Sequence, residues 1–125
     1  MKYILCLAVY FLALNSGNAA VVCQQSDFKL VEAATVVIKF SGMSYSPKCL
    51  KVRPGTKITI PASTMHPLMG NAAIGGIANP LATATPLKVA QTKIFSTTGL
   101  FGYFCVNHGN SAGEGMAAQI LVEKK

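Results

Sequence analysis

One stretch near the carboxyl end, Gly102-Tyr-Phe-Cys-Val-Asn-His-Gly-Asn-Ser-Ala-Gly-Glu-Gly-Met116, connects two runs that are typical of β-strands. It places the thiol of Cys105, the imidazole of His108 and the thioether of Met116 in one short loop. The other histidine of the chain, His66, follows another strand-like run. The sequence contains two histidines, and this pattern uses both. We therefore expect these four side chains to meet at one metal site.

The remainder of the chain has the pattern of one all-β domain. The strand-like runs are Ala33–Phe40, Tyr45–Pro47, Cys49–Val52, Lys57–Pro61, Leu87–Phe95, Gly102–Cys105 and Ala117–Glu123. Turn signals separate these runs, and no long helical period occurs among them, so the sequence predicts an antiparallel β-sandwich. The segment 70–86 is poor in charge and rich in Gly, Ala and Pro, and we expect it to form a long ordered loop.

The amino-terminal residues have the features of a signal peptide. An apolar run, Tyr3–Leu14, follows a positive start and is too short to span a membrane as a helix. Gly17-Asn-Ala19 fits a cleavage site, so we predict a signal peptide at residues 1–19 and a mature domain at 20–125. Cleavage after Ala20 is nearly as good, and an uncleaved anchor is the alternative. The prediction implies a periplasmic or secreted protein without stable membrane insertion.

The charge of the mature chain is basic but dispersed. The full sequence has 11 Lys and Arg against 4 Asp and Glu. Without Lys2 of the signal these become 10 and 4, a net charge of about +6. No cluster of basic and aromatic residues indicates nucleic-acid binding. A solvated basic surface is the simpler interpretation, and a preference for an acidic partner is the sharper one.

The cysteine count supports a metal role for Cys105. Three cysteines remain after removal of Cys6, an odd number for an oxidising compartment. A disulfide between Cys23 and Cys49 leaves Cys105 for the metal. In the alternative, Cys105 pairs with one of these two and the remaining thiol is incidental.

The ligand types favour copper. Thiolate and thioether suit Cu(I), and imidazole serves both Cu(I) and Cu(II), so a plane of two His and one Cys with a weak axial Met is a type 1 copper set. Zinc is the rival metal. No residue is a plausible general base for zinc hydrolysis, because the one carboxylate close in sequence is Glu114. No nucleophile–base pair or phosphate-binding loop is present, so we do not expect an enzyme.

These features together resemble the cupredoxin family, in particular small plastocyanin- and azurin-like proteins, over about residues 36–122. The residues that carry the resemblance are Tyr45-Ser-Pro47, Val52-Arg-Pro-Gly-Thr56, His66-Pro-Leu-Met69, Gly102-Tyr-Phe-Cys105, His108-Gly109, Gly115-Met116 and Ile120-Leu-Val122. The resemblance implies a Greek-key sandwich with one type 1 copper ion at its end and outer-sphere electron transfer as the activity. The family pattern places the ligands at His66, Cys105, His108 and Met116.

The sequence departs from the family pattern near the ligands. Seven residues, 109–115, separate His108 from Met116, more than in the family, so a water or Glu114 is an alternative axial ligand. Pro67 stands where the family has an Asn that braces the Cys loop.

Two further predictions concern the residues around the ligands. Ser63 or Thr64 is predicted to take over the bracing role of the missing Asn. Asn107 replaces a Pro that is frequent in plastocyanin-like loops, and this predicts a less rigid site.

The resemblance also predicts how the protein meets its partners. Electrons are expected to leave through the edge of His108, surrounded by an apolar docking patch of Pro67, Leu68, Met69 and Ala112; alternatively, Leu68 and Met69 belong to the core. The predicted partner is a redox protein, such as a cytochrome or a copper oxidoreductase, and the chain is expected to be a monomer.

The predicted function is a soluble carrier of single electrons. The alternative is a periplasmic copper-binding protein for copper tolerance or delivery, which the methionines of the chain favour. A metal-free binding sandwich is a third hypothesis.

Overall fold

The computed structural model describes residues 22–125, and nearly all their regular structure is β. The strands are β1 (Lys29–Leu30), β2 (Thr35–Val37), β3 (Lys39–Ser41), β4 (Ser44–Ser46), β5 (Cys49–Val52), β6 (Thr56–Ile60), β7 (Leu68–Gly70), β8 (Gln91–Phe95), β9 (Gly99–Gly109) and β10 (Gly115–Val122). One 3₁₀ turn, Gln25–Asp27, precedes them. The predicted signal peptide, residues 1–19, and its cleavage site lie outside the described residues.

The strands form a five-stranded sheet in the order β1-β5-β10-β9-β7, a three-stranded sheet in the order β2-β6-β8, and the hairpin β3-β4. The predicted all-β Greek-key sandwich is confirmed, and its pairing is mixed rather than antiparallel throughout. The pairs β1–β5, β5–β10 and β2–β6 are parallel. Parallel neighbours need long connections, so turn signals between strands that follow one another in sequence could not predict these pairs.

Alternation of apolar and polar residues builds the core between the two larger sheets. Ile58 and Ile60 on β6 and Leu50 and Val52 on β5 are fully buried and belong to one cluster that includes Ile120 of β10. Burial of each such side chain stabilises the fold by about 1.5–3 kcal/mol. The sandwich therefore provides a rigid frame for the loops at its end.

Some strand boundaries differ from the sequence prediction. The run Ala33–Phe40 is divided into β2, which pairs with β6, and β3, which pairs with β4; Ile38 between them still donates its backbone N–H to the carbonyl of Thr59 in β6. Strand β9 is much longer than the predicted Gly102–Cys105 and extends through His108. Strand β7 was not predicted.

The long connection 70–86 is ordered, as predicted. Its buried Asn79 donates from Nδ2 to the carbonyls of Asn71 and Gly102 and accepts at Oδ1 from the backbone N–H of Leu81. The fully buried side chain of Leu81 then anchors the loop in the core. These bonds tie the loop to β9.

The predicted disulfide between Cys23 and Cys49 is present and links the amino-terminal segment to β5. Within residues 22–125, Cys105 is the free cysteine. A helix with the length and hydrophobicity of a membrane span does not occur in this part of the chain.

Candidate metal centre

The site begins at an irregularity between β9 and β10. Phe104 pairs with Ala117, and the next pair along the ladder is Gly109 with Gly115. Residues 105–108 of β9 therefore lie opposite Met116 alone. Such a bulge bends a strand and redirects its side chains, so Cys105 and His108 can reach one point although they occupy the same strand.

His66 approaches from the connection between β6 and β7. Its neighbour Leu68 pairs with Cys105 across the β7–β9 ladder. The Sγ atom of Cys105 lies 3.7 Å from Nδ1 of His66 and 3.6 Å from Nδ1 of His108. The ligand atoms of these three residues all lie within 4.8 Å of one another. The structure thus brings together three of the four residues that the sequence singled out.

These distances fit three ligands of one metal ion. Typical metal–nitrogen and metal–sulfur bonds are about 2.0 and 2.3 Å long. If the nitrogen–metal–sulfur angle lies between the tetrahedral and the trigonal value, the nitrogen and sulfur atoms are about 3.5–3.7 Å apart. The donor set is one sulfur and two imidazole nitrogens, without a carboxylate among the described groups. Cys105 is fully buried, His66 is half-buried and His108 is the most exposed of the three. A soft donor set of this kind suits copper.

Met116 lies in the same region of the core. It is 1% exposed, belongs to the buried cluster that contains Cys105, and stands opposite the bulge on β10. This position keeps Met116 available as a fourth ligand, which remains a prediction.

The long loop between His108 and Met116 closes on itself. Gly109 and Gly115 pair across its base, and Asn110 accepts at its carbonyl from the N–H of Gly113. A Cβ on Gly109 would lie 2.6 Å from the carbonyl oxygen of Met116, so the pair requires glycine for close approach. The additional residues therefore form a hairpin whose base is the pair of Gly109 and Gly115.

The alternative axial group, Glu114, is engaged elsewhere. Its Oε2 accepts a hydrogen bond from Nδ2 of Asn110 at 2.9 Å, and the side chain is exposed. The geometry does not place this carboxylate among the clustered donors.

The hydrogen bonds of the residues expected to brace the ligands differ from the prediction. The hydroxyl of Ser63 accepts from the backbone N–H of His66 at 3.0 Å, so Ser63 fixes the turn of His66 rather than the Cys105 segment. Thr64 is exposed, and its hydroxyl makes no hydrogen bond within residues 22–125. Asn107 donates from Nδ2 to the carbonyl of Met65 at 3.0 Å. The expectation of a less rigid site considered only the missing Pro; the side chain of Asn107 adds a bond between the two ligand segments.

The predicted apolar docking patch needs correction. Pro67 and Leu68 are buried: Leu68 stands opposite Cys105 of β9 on one side, and on the other its backbone exchanges two hydrogen bonds with Leu87. Met69 is half-buried, and Ala112 is exposed. The exposed apolar side chain beside the site is Met65, at 70% exposure.

Three aromatic residues near the ligands were missed as parts of the site. The ring of Phe40 lies 4.9 Å from that of His66, and the ring of Tyr45 lies 4.8 Å from that of Tyr103. Burial raises the pKa of Tyr45, with a smaller contribution from Cys105, and burial likewise raises the pKa of Tyr103. Both phenols thus stay neutral beside the cluster. Phe40 could have been found from the turn at 41–44, because a hairpin closed by this turn places Phe40 opposite Tyr45.

Comparison with solved structures identifies the architecture. A Cu-containing nitrite reductase from Thermus scotoductus SA-01 matches 80% of this chain and 29% of its own, with a TM-score of 0.55 and 15% identity. The pseudoazurin of Methylobacterium extorquens AM1 matches 76% of this chain and 77% of its own, with a TM-score of 0.52 and 24% identity. A reduced amicyanin variant matches 71% and 82%, with a TM-score of 0.51 and 22% identity.

This chain spans less than a third of the nitrite reductase but most of the length of the two small proteins. No protein-family model and no curated protein matches the sequence. At these identities the likeness concerns the fold alone. The strand order and the buried core of this chain support the same fold without the comparison. The chain has the fold of the cupredoxins.

Proposed function

We propose that this protein is an exported type 1 copper protein that carries one electron at a time between redox proteins. The observation that supports the proposal most strongly is the convergence of Cys105 Sγ with Nδ1 of His66 and of His108, at 3.7 and 3.6 Å. Two of the structural neighbours, a Cu-containing nitrite reductase and an amicyanin variant in a Cu(I) state, agree with copper as the metal.

The residues suit an electron carrier rather than an enzyme. Copper, when bound, supplies a one-electron couple between its two oxidation states. Cys105, His66 and His108 would hold it, and Met116 is the proposed fourth ligand. The β-sandwich fixes these donors in advance, so little has to move when an electron arrives. The cluster includes no carboxylate that could act as a base in hydrolysis.

The exposed edge of the site is the proposed route for the electron. His108 is partly exposed, whereas Cys105 is fully buried. A partner that docks at this edge contacts Met65 and Ala112 rather than the buried Pro67 and Leu68. Small interfaces of this kind release quickly, which suits a carrier.

We further propose that the partner is a redox protein with an acidic surface and that the carrier works as a monomer in the periplasm or outside the cell. Among residues 22–125, the ion pairs are Arg53–Glu32 and Lys125–Glu32, so most lysines have no acidic partner. Their field speeds the encounter with an acidic protein and is screened by salt.

A copper titration tests the proposal. One equivalent of Cu(II) is expected to produce an intense visible absorption from the thiolate–copper bond, and Cys105→Ser is expected to abolish it while the β fold is retained by circular dichroism. Rapid electron self-exchange, and reduction by a cytochrome that slows with ionic strength, are the functional signs. A folded protein that binds Cu(II) without colour would refute the proposal.

Copper tolerance or delivery is the second candidate function. Two exposed methionines favour it, Met43 at 56% and Met65 at 70% exposure, because thioethers bind Cu(I). Two results would support this candidate over the carrier. Electron self-exchange would be slow, and the transfer of Cu(I) from the protein to a chelator would be slower in Met43→Leu and Met65→Leu than in the wild type.

A further inference from the structure

The backbone around His66 is held by the residues that separate the other two clustered side chains. The carbonyl before His66, that of Met65, accepts a hydrogen bond from Nδ2 of Asn107 at 3.0 Å. The carbonyl after it, that of Pro67, accepts from the backbone N–H of Val106 at 3.1 Å. Two consecutive residues of β9 thus hold the carbonyl groups of the two residues on either side of His66.

The backbone N–H and carbonyl of His66 are bonded within its own turn. Its N–H donates to the hydroxyl of Ser63 at 3.0 Å, and its carbonyl accepts from the N–H of Ser63 at 3.1 Å. These two bonds shape the turn but leave it free to move as a unit relative to β9. The bonds from Val106 and Asn107 remove that freedom.

We propose that Asn107 is a positioning residue, which fixes the distance between the His66 ring and the Cys105 sulfur before any metal binds. The hydrogen-bond pattern supports this role of Asn107. Its effect on a bound copper ion rests on the proposed function. The bond from Val106 is a backbone bond, which most side chains at that position would preserve. The bond from Asn107 belongs to the side chain alone, so the residue type at 107 sets the constraint.

The sequence context agrees with this assignment. Pro67 follows His66 and offers no side-chain or backbone donor to the Cys105 segment. The hydrogen bond between the His66 segment and the Cys105 segment is instead donated by the Cys105 segment. Its donor is the carboxamide of Asn107, which lies between Cys105 and His108 in the sequence. Since Asn107 is exposed, its substitution leaves the core intact.

The test compares Asn107→Ala with Thr64→Ala, a neighbouring exposed substitution that removes no hydrogen bond of the described structure. In the copper-free protein, amide hydrogen exchange at His66 and Val106 is expected to accelerate about threefold to tenfold in Asn107→Ala, the ratio that corresponds to one ordinary hydrogen bond. Exchange in the β6–β8 ladder and all rates in Thr64→Ala are expected to stay at the wild-type level.

The copper-loaded proteins provide the second measurement. Asn107→Ala is expected to shift the electron paramagnetic resonance spectrum and the reduction potential, because the His66 nitrogen is less constrained relative to the sulfur. If Asn107→Ala matches Thr64→Ala in both exchange and spectrum, Asn107 is not a positioning residue. A colourless Cu(II) form of the wild type would instead refute the copper function, and the exchange rates would still decide whether Asn107 holds the His66 segment.

Discussion

The sulfur of Cys105 lies 3.7 Å from Nδ1 of His66, although 39 positions separate the two residues in the chain. The β7–β9 ladder explains this approach, because Leu68, two residues after His66, pairs directly with Cys105. The frame therefore brings the two donors together through backbone pairing, and the imidazole needs only the turn 63–66 to reach the sulfur.

The axial position is tested by Met116→Leu. Leucine has nearly the same volume, so the buried site is expected to lose less than about 1.5 kcal/mol of stability. The intense visible absorption should persist, because the thiolate remains. The reduction potential should rise, because Cu(I) is satisfied by three ligands and loss of a fourth donor, even a soft one, therefore destabilises Cu(II) more than Cu(I). Met65→Leu, at an exposed methionine, is the control, and equal potentials for the two variants would exclude Met116 as a ligand.

The closed base of the hairpin is tested by a matched pair of glycine substitutions. Gly42 and Gly115 have φ of +59° and +67°, and a Cβ meets nothing within 4 Å at Gly42 but meets the carbonyl of His108 at Gly115. Alanine should cost about 1 kcal/mol at Gly42, from the backbone conformation alone, and should leave the copper spectrum unchanged. At Gly115 it should cost more and alter the spectrum. Equal losses in urea unfolding would contradict the close approach that the structure shows.

The disulfide is expected to stabilise the domain without contributing to the metal site. It closes a loop with a sequence separation of 26, for which chain entropy gives about 3.5 kcal/mol. The double variant Cys23→Ser, Cys49→Ser should lose about this free energy of unfolding in urea and keep the visible spectrum when folded. Loss of colour in the folded double variant would show that the pair and the cluster are coupled.

The buried phenol of Tyr103 predicts a loss of stability at high pH. Its hydroxyl is buried and has no hydrogen-bond partner within residues 22–125, and burial raises its pKa. The unfolded chain releases this proton near pH 10, whereas the folded chain keeps it. The unfolding free energy of the copper-free protein should therefore fall above pH 10, by up to about 1.4 kcal/mol per pH unit for this group.

Tyr103→Phe provides the comparison. It removes the unpaired hydroxyl, so at pH 7 it should be neutral or stabilising by up to about 1 kcal/mol. Between pH 10 and 12 its unfolding free energy should decline less steeply than that of the wild type. Parallel declines in the two proteins would mean that Tyr103 ionises as readily in the folded state as in the unfolded one.

Much of this structure is predictable from local sequence, and the remainder depends on long-range pairing. The alternation in β5 and β6 and the odd cysteine count led to the correct strands and to the disulfide of Cys23 with Cys49. The parallel pairing of β5 with β10 was not predictable, because no local signal records which distant strands become neighbours.

The candidate site shows the same division. Cys105, His66 and His108 were identified from residue type and spacing. The bulge at 105–108, the pairing of Gly109 with Gly115 and the bond from Asn107 to Met65 were not, because each depends on how two chain segments approach one another. The burial of Leu68 likewise follows from bonds on both sides of β7, which the apolar sequence around His66 does not reveal.

The electron paramagnetic resonance spectrum of the wild-type protein with one equivalent of Cu(II) tests most directly whether Cys105, His66 and His108 hold a single ion. We expect one copper species with the narrow parallel hyperfine splitting of a thiolate-bound ion and coupling to two imidazole nitrogens. A wide splitting typical of an ordinary tetragonal Cu(II) site, or coupling to a single nitrogen, would contradict it.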